Sequence, residues 1–148
     1  MRLYIVPVIG DGNCFYHALL YLINDRFPHM DTQDKNYYIM AVKRILSDNF
    51  TREYYDNNLS FLDVSYEVVF RELKYNVGYT SHYLLPFIFE FFDYNLVIID
   101  RNGSIIPDVI KTKPAYPYIC IKYSHNHYEP VVLEGGYKLF TSIENILN

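Results

Sequence analysis

Apolar and polar positions follow two regimes along the chain, helical periods in the first part and strand-like runs in the later part. Residues 3–9 form a short apolar run that ends at Gly10-Asp11-Gly12-Asn13, a cluster of turn-forming residues. From Cys14 to Phe27 the pattern predicts a helix, with Phe15, Ala18, Leu19 and Leu22 at helical spacing. Leu20, Ile23 and Phe27 add apolar side chains on other faces, so this helix is expected to be central and buried, and Pro28 is expected to stop it. A second helix is predicted from Asp31 or Thr32, with the first of these as N-cap candidate and Ile39, Val42 and Leu46 facing the core. Residues 51–60 are polar and irregular, consistent with one helical turn and a loop. Val64 to Tyr75 predicts a half-buried helix, with Val68, Val69 and Glu72 placed to divide a buried from a wet face. Ser81 is a candidate cap for a further helix carrying Leu84, Leu85, Ile88, Phe89 and Phe92, with Pro86 in its first turns.

Beyond that point the period changes. Leu96-Val97-Ile98-Ile99 is a continuous β-rich run, the pattern of a strand covered on both faces. Asn102-Gly103 gives a hairpin signal ahead of Ile105-Ile106. Tyr118 to Tyr123 reads as a strand, Ser124-His125-Asn126 as a turn, and His127 to Leu133 as the returning partner, ended by Gly135-Gly136. Helical segments followed by strands predict a mixed α/β or α+β fold. No repeat, low-complexity tract or linker divides the sequence, so residues 1–148 are read as one domain.

Composition sharpens this in a few respects. Of 148 residues 51% are hydrophobic and 18% aromatic, enough apolar material for a core and too much for a disordered chain. The net charge of −4 argues against a dedicated nucleic-acid binder, which carries a basic patch or stripe. No apolar run reaches the length of a membrane span, and the first residues are too soon broken by Pro7 and Gly10 to read as a secretory signal. Hence Cys14 and Cys120 are expected to be free thiols in a reducing compartment, with no disulfide, and the three Asn-x-Ser/Thr sequences to be chance matches. No Cys-x-x-Cys or matching His pair is present, so neither a metal nor a cofactor is expected; His125-Asn126-His127 alone is weak evidence for one.

The candidate chemistry begins where the turn Asp11-Gly12-Asn13 runs straight into the helix at Cys14. A thiol at a helix N-terminus feels the positive end of the macrodipole, which favours thiolate. The same turn presents backbone N–H groups that can hold an oxyanion formed beside the sulfur. A buried free cysteine is also a common small core residue, so the arrangement needs a base before it points to catalysis. Five histidines are available, His17, His29, His82, His125 and His127. His17 leaves from the helix body, and His29 and His82 sit beside turns where surface histidines are common. His127 opens a strand, and strand alternation puts Glu129 on the same face, where a carboxylate can fix the tautomer and stabilise the imidazolium.

The run Gly10-Asp11-Gly12-Asn13-Cys14-Phe15-Tyr16-His17-Ala18-Leu19 resembles the nucleophile motif of the ovarian tumour (OTU) cysteine proteases. Asn126-His127-Tyr128-Glu129-Pro130-Val131 resembles their histidine motif, in the same order along the chain. Gly78-Tyr79-Thr80-Ser81, with the apolar helix and the strand that follow, resembles the family's middle section more weakly. The resemblance implies a small central β-sheet flanked by helices, Cys14 as nucleophile, His127 as general base, and Asp11 shaping an oxyanion turn with Gly12 and Asn13. It implies hydrolysis of isopeptide bonds at the C-terminus of ubiquitin, with ubiquitin or polyubiquitin, or a ubiquitin-like modifier, as partner. A monomer without cofactor, acting in the cytoplasm, or in the host cytosol for a viral or intracellular bacterial source, completes the expectation. The chain departs from the family pattern at Glu129, where Asp or Asn is usual; Asn126 is the alternative partner for the imidazole. The competing readings are an inactive OTU-fold module that only binds ubiquitin, and a protease for another modifier or a viral polyprotein.

Overall fold

The computed structural model describes residues 2–8, 12–75, 80–100, 102 and 113–140. In chain order these form β1 (Leu3–Ile5), α1 (Cys14–Ile23), a 3₁₀ turn at Phe27–His29, α2 (Thr32–Asn49), α3 (Arg52–Asn58) and α4 (Tyr66–Tyr75). A second 3₁₀ turn at His82–Leu84 runs into α5 (Leu85–Phe92), followed by β2 (Asn95–Ile99), β3 (Tyr118–Ser124) and β4 (His127–Leu133). The fold is a mixed α+β arrangement, as the change of period predicts.

The strands make one sheet in the order β1-β4-β3-β2, with β2 and β3 parallel and the other pairs antiparallel. Every residue of β2 is buried, because both faces of the sheet are covered. On one face Leu96, Ile98, Ile119, Ile121, Tyr128 and Val132 join the main core with the helices. On the other, Val97, Ile99, Tyr118, Cys120, Val131, Leu133 and Phe140 form a smaller apolar cluster. Pro130 sits inside β4 without breaking the sheet. Its carbonyl accepts from Val6 N, on the side where β1 has just ended, so its missing N–H costs the β3 ladder nothing.

Several element boundaries differ from expectation, each for a local reason. α1 ends at Ile23 rather than reaching Phe27. The Asn24 side chain accepts from Arg26 N and Phe27 N, an Asx turn that ends the helix before Pro28 can. α2 begins as predicted, with Asp31 accepting from Asp34 N at 2.8 Å. α3 is a fuller helix than the sequence suggested, because Thr51 caps it from Tyr54 N at 3.0 Å. Ser81 does not cap its helix; its hydroxyl donates to Glu72 Oε1 at 2.5 Å instead. On α4 the buried stripe is Val69 and Leu73, which leaves Val68 exposed. The hairpin expected at Asn102-Gly103 and Ile105-Ile106 lies, apart from Asn102, outside the described residues. No helix among the described residues is long and apolar enough to cross a membrane.

Candidate active site

The site is built where α1 packs across β4. Phe15 sets this crossing: its ring meets Tyr128 edge-on at 5.2 Å and Phe89 at 6.2 Å. With α1 fixed over the start of β4, its first residue, Cys14, is brought to the turn that precedes His127. Gly12 takes φ 89°, a left-handed conformation that a side chain would strain, and Asn13 occupies the N-cap position. Asp11 lies outside the described residues.

The turn between β3 and β4 is equally specified. His125 and Asn126 both have positive φ, 52° and 61°, the backbone of a two-residue hairpin whose twist matches the strands. Neither is glycine, and side-chain bonds hold the strained pair. Tyr123 Oη donates to Asn126 Oδ1 at 2.8 Å, and Ser124 Oγ meets His125 Nδ1 at 3.0 Å. The Asn126 carbonyl then faces the thiol, and Cys14 Sγ donates to it at 3.9 Å across 112 residues of sequence. The thiol therefore touches the backbone of the residue next to His127 rather than the imidazole itself.

His127 and Glu129 share a face of β4 as strand alternation requires, with His127 Nε2 3.8 Å from Glu129 Oε2. That places the carboxylate on Nε2 and leaves Nδ1 as the nitrogen through which the ring can meet a thiol. Lys122, opposite Glu129 in the β3–β4 register, approaches the other oxygen, Nζ to Oε1 at 3.6 Å. Glu129 is thus shared between an imidazole and an ammonium. Sequence reasoning missed Lys122, because cross-strand pairing depends on register. Asn126 is engaged by Tyr123 through its side chain and by Cys14 through its carbonyl.

The remaining candidates fall elsewhere. His17 is buried against Phe27 at a ring distance of 5.8 Å, and it lines a cleft of about 260 Å³ with Val6, Pro7, Val8 and Tyr21. His82, expected at the surface, packs its ring on Tyr123 at 4.9 Å and Tyr128 at 6.1 Å, so it buttresses the hairpin from behind. Cys120 is fully buried, and that burial pushes its thiol up to about 12. Both cysteines are free. No cluster able to hold a metal ion occurs among the described residues. A second residue missed from sequence is Lys43, which lies within the core face of α2 and donates from Nζ to Asn13 Oδ1 at 2.6 Å. Its place four residues after Ile39, on the apolar stripe, was the available signal.

No family model and no curated protein matches the sequence. Solved structures do match the fold. An OTU domain in complex with ubiquitin superposes with a TM-score of 0.68 at 17% identity, covering 93% of this chain and 74% of that one. The OTU domain of OTUD1 gives 0.62 at 15% identity, over 88% of this chain and 86% of that one. The Hazara virus OTU bound to ubiquitin gives 0.58 at 15% identity, over 95% and 83%. The sheet, its flanking helices and the packing of α1 on β4 together have the fold of an OTU domain.

Proposed function

We propose that the protein is a cysteine-type deubiquitinase that uses Cys14 as nucleophile and His127 as general base. The observation that carries this reading is the 3.9 Å contact between Cys14 Sγ and the carbonyl of Asn126, which brings the helix-head thiol to the residue beside the imidazole. Two of the solved structures that share the fold are complexes with ubiquitin, which supports ubiquitin as the partner.

The chemistry follows from these groups. Rotation of the Cys14 side chain takes Sγ from Asn126 O toward His127 Nδ1, which accepts the thiol proton; catalytic hydrogen bonds are often incomplete before substrate binds. The thiolate attacks the C-terminal carbonyl carbon of ubiquitin, and the oxyanion is held by backbone N–H groups at the start of α1. The imidazolium gives its proton to the leaving lysine amine as the C–N bond breaks, leaving a thioester on Cys14. Water, deprotonated by His127, then attacks the thioester and releases ubiquitin with the sulfur protonated again. Glu129 stabilises the imidazolium, and Asp11 with Gly12 and Asn13 shapes the oxyanion turn.

An electrophilic probe built on the C-terminus of ubiquitin is the direct test. It is expected to label the wild type at Cys14 and to spare Cys14→Ala; labelling that persists in that variant, or maps to Cys120, overturns the assignment. The thiol's bond to a carbonyl rather than to the imidazole favours one second reading, a module that binds ubiquitin without cleaving it. Saturable binding of ubiquitin with no labelling, and no cleavage of any diubiquitin linkage or modifier fusion, would decide for that module.

A further inference from the structure

Lys122 stands directly opposite Glu129 where β3 pairs with β4, and its Nζ lies 3.6 Å from Glu129 Oε1. The other carboxylate oxygen, Oε2, lies 3.8 Å from His127 Nε2. Each oxygen thus has its own neighbour, an ammonium across the strands and an imidazole along one strand. Both side chains of the Lys122–Glu129 pair are largely covered, at 20% and 19% exposure. Away from the site the pairs are wetter: Arg52 with Asp56 or Glu67, and Lys138 with Asp25, each include a partner more than half exposed. Water and salt weaken such exposed pairs, while a covered one is screened less and holds its side chains better. Glu129 is also a side chain that needs holding. It stands where the family pattern has Asp or Asn, and its extra methylene adds a torsion to be fixed. At 3.8 Å the carboxylate is just outside hydrogen-bond range of the ring, so a small swing of the side chain makes or loses that bond.

We propose that Lys122 is a positioning residue: it ties Oε1 of Glu129 from the neighbouring strand, so that Oε2 stays on His127 Nε2 and leaves Nδ1 for Cys14. This rests on the deubiquitinase reading above and adds to it a residue that acts through Glu129. With the carboxylate held, the neutral ring keeps its proton on Nε2, and Nδ1 keeps the lone pair that takes the thiol proton. Without the ammonium the carboxylate spreads over its rotamers, and the ring is free to turn or to change tautomer. The effect lies in the readiness of the base, so it is expected in kcat and not in KM. The ammonium also disfavours the imidazolium across the carboxylate, which makes the sign of the change decisive.

The test uses the full chain and ubiquitin linked at its C-terminus to a fluorogenic amine. Lys122→Met keeps the apolar stem and removes the charge; kcat is expected to fall about fivefold with KM within about twofold. Lys122→Gln is expected to show the same loss, and it decides the matter should Lys122→Met not fold. Lys122→Arg restores a cation opposite Glu129 and is expected to recover most of the rate. In a Glu129→Ala background Lys122→Met is expected to cost nothing further, because the group through which it acts is gone. Nitrogen NMR of the His127 ring is expected to show the Nε2–H tautomer in the wild type and a mixture in Lys122→Met. A Lys122→Met enzyme as fast as the wild type or faster, losses that add in the double variant, or an unchanged tautomer would each overturn the proposal. A wild type silent on every ubiquitin substrate would defeat the deubiquitinase reading instead, and the ring spectra would still report whether Lys122 keeps Glu129 on the imidazole.

Discussion

Cys14 and Cys120 are both nearly covered, at 8% and 0% exposure, and both are free thiols, yet their surroundings differ in kind. Cys120 lies in β3, between β2 and β4, in a cluster of Val97, Ile99, Val131 and Leu133. Nothing there compensates a negative sulfur, and burial pushes the thiol up to about 12, so it stays protonated and inert. Cys14 is the first residue of α1, with the helix's N-terminal dipole behind it and a hairpin carbonyl in front. Coverage does not separate the two. What faces the sulfur does.

The comparison can be broken most directly by exchanging the fates of the two thiols. Under the proposed function Cys14→Ala is expected to lower turnover of a ubiquitin substrate on the order of 10⁴-fold or more, measured as kcat/KM, with the melting temperature little changed. Cys120→Ser is expected to do the reverse. It retains turnover and loses about 1–3 kcal/mol in urea titration, because a hydroxyl is placed among apolar side chains without a partner. A catalytic loss in Cys120→Ser, at a temperature where it is folded, would show that the division of labour is wrong.

The next effects concern what meets Cys14. His127→Ala is expected to cost about 10³-fold in kcat while circular dichroism stays native, since the side chain is partly exposed at a strand start. Glu129→Ala is expected to cost less, about 10- to 100-fold, as third members of such sites usually do. Equal losses in the two variants would mean that the carboxylate does more than orient the ring.

The smallest expected effect sharpens the contrast between buried groups that are compensated and those that are not. Burial raises the Glu72 carboxyl above its ordinary range, against the lowering effect of hydrogen bonds from Ser81 and Tyr83. A carboxyl whose pKa is raised on folding binds its proton more tightly folded than unfolded. Stability from this group is therefore present below the unfolded pKa and falls as pH rises through the window up to the folded one. Glu72→Gln is expected to flatten that slope in a melting-temperature series, by about 1–3 °C, a small effect because the hydrogen bonds from Ser81 and Tyr83 already offset part of the burial.

β2 was legible as a continuous apolar run and β3 and β4 as short runs bounded by turn residues, and all three fall within a residue of their expected limits, whereas β1 lies in a stretch that reads only as apolar. The helices were legible in kind and less so at their ends. The end of α1 depends on the Asn24 side chain turning back on the main chain, and the start of α5 on Ser81 preferring Glu72, choices made by tertiary surroundings. In the candidate site, Cys14 and the His127–Glu129 pair could be read because each is local, a turn before a helix and an alternation along one strand. Lys122, Lys43 and His82 could not be assigned in the same way. Their partners Glu129, Asn13 and Tyr123 come from other segments, and only register and helix packing bring them together.

The contact between Cys14 and Asn126 spans 112 positions, so the two halves of the candidate site come from segments far apart in the chain. The cysteine is synthesised well before the imidazole, which cannot approach it until β4 has slotted between β1 and β3. Such long-range closure comes late and slowly. Under the proposed function, a chain in which β4 has not yet docked lacks the partner of the thiol, so closure of the sheet itself switches the chemistry on.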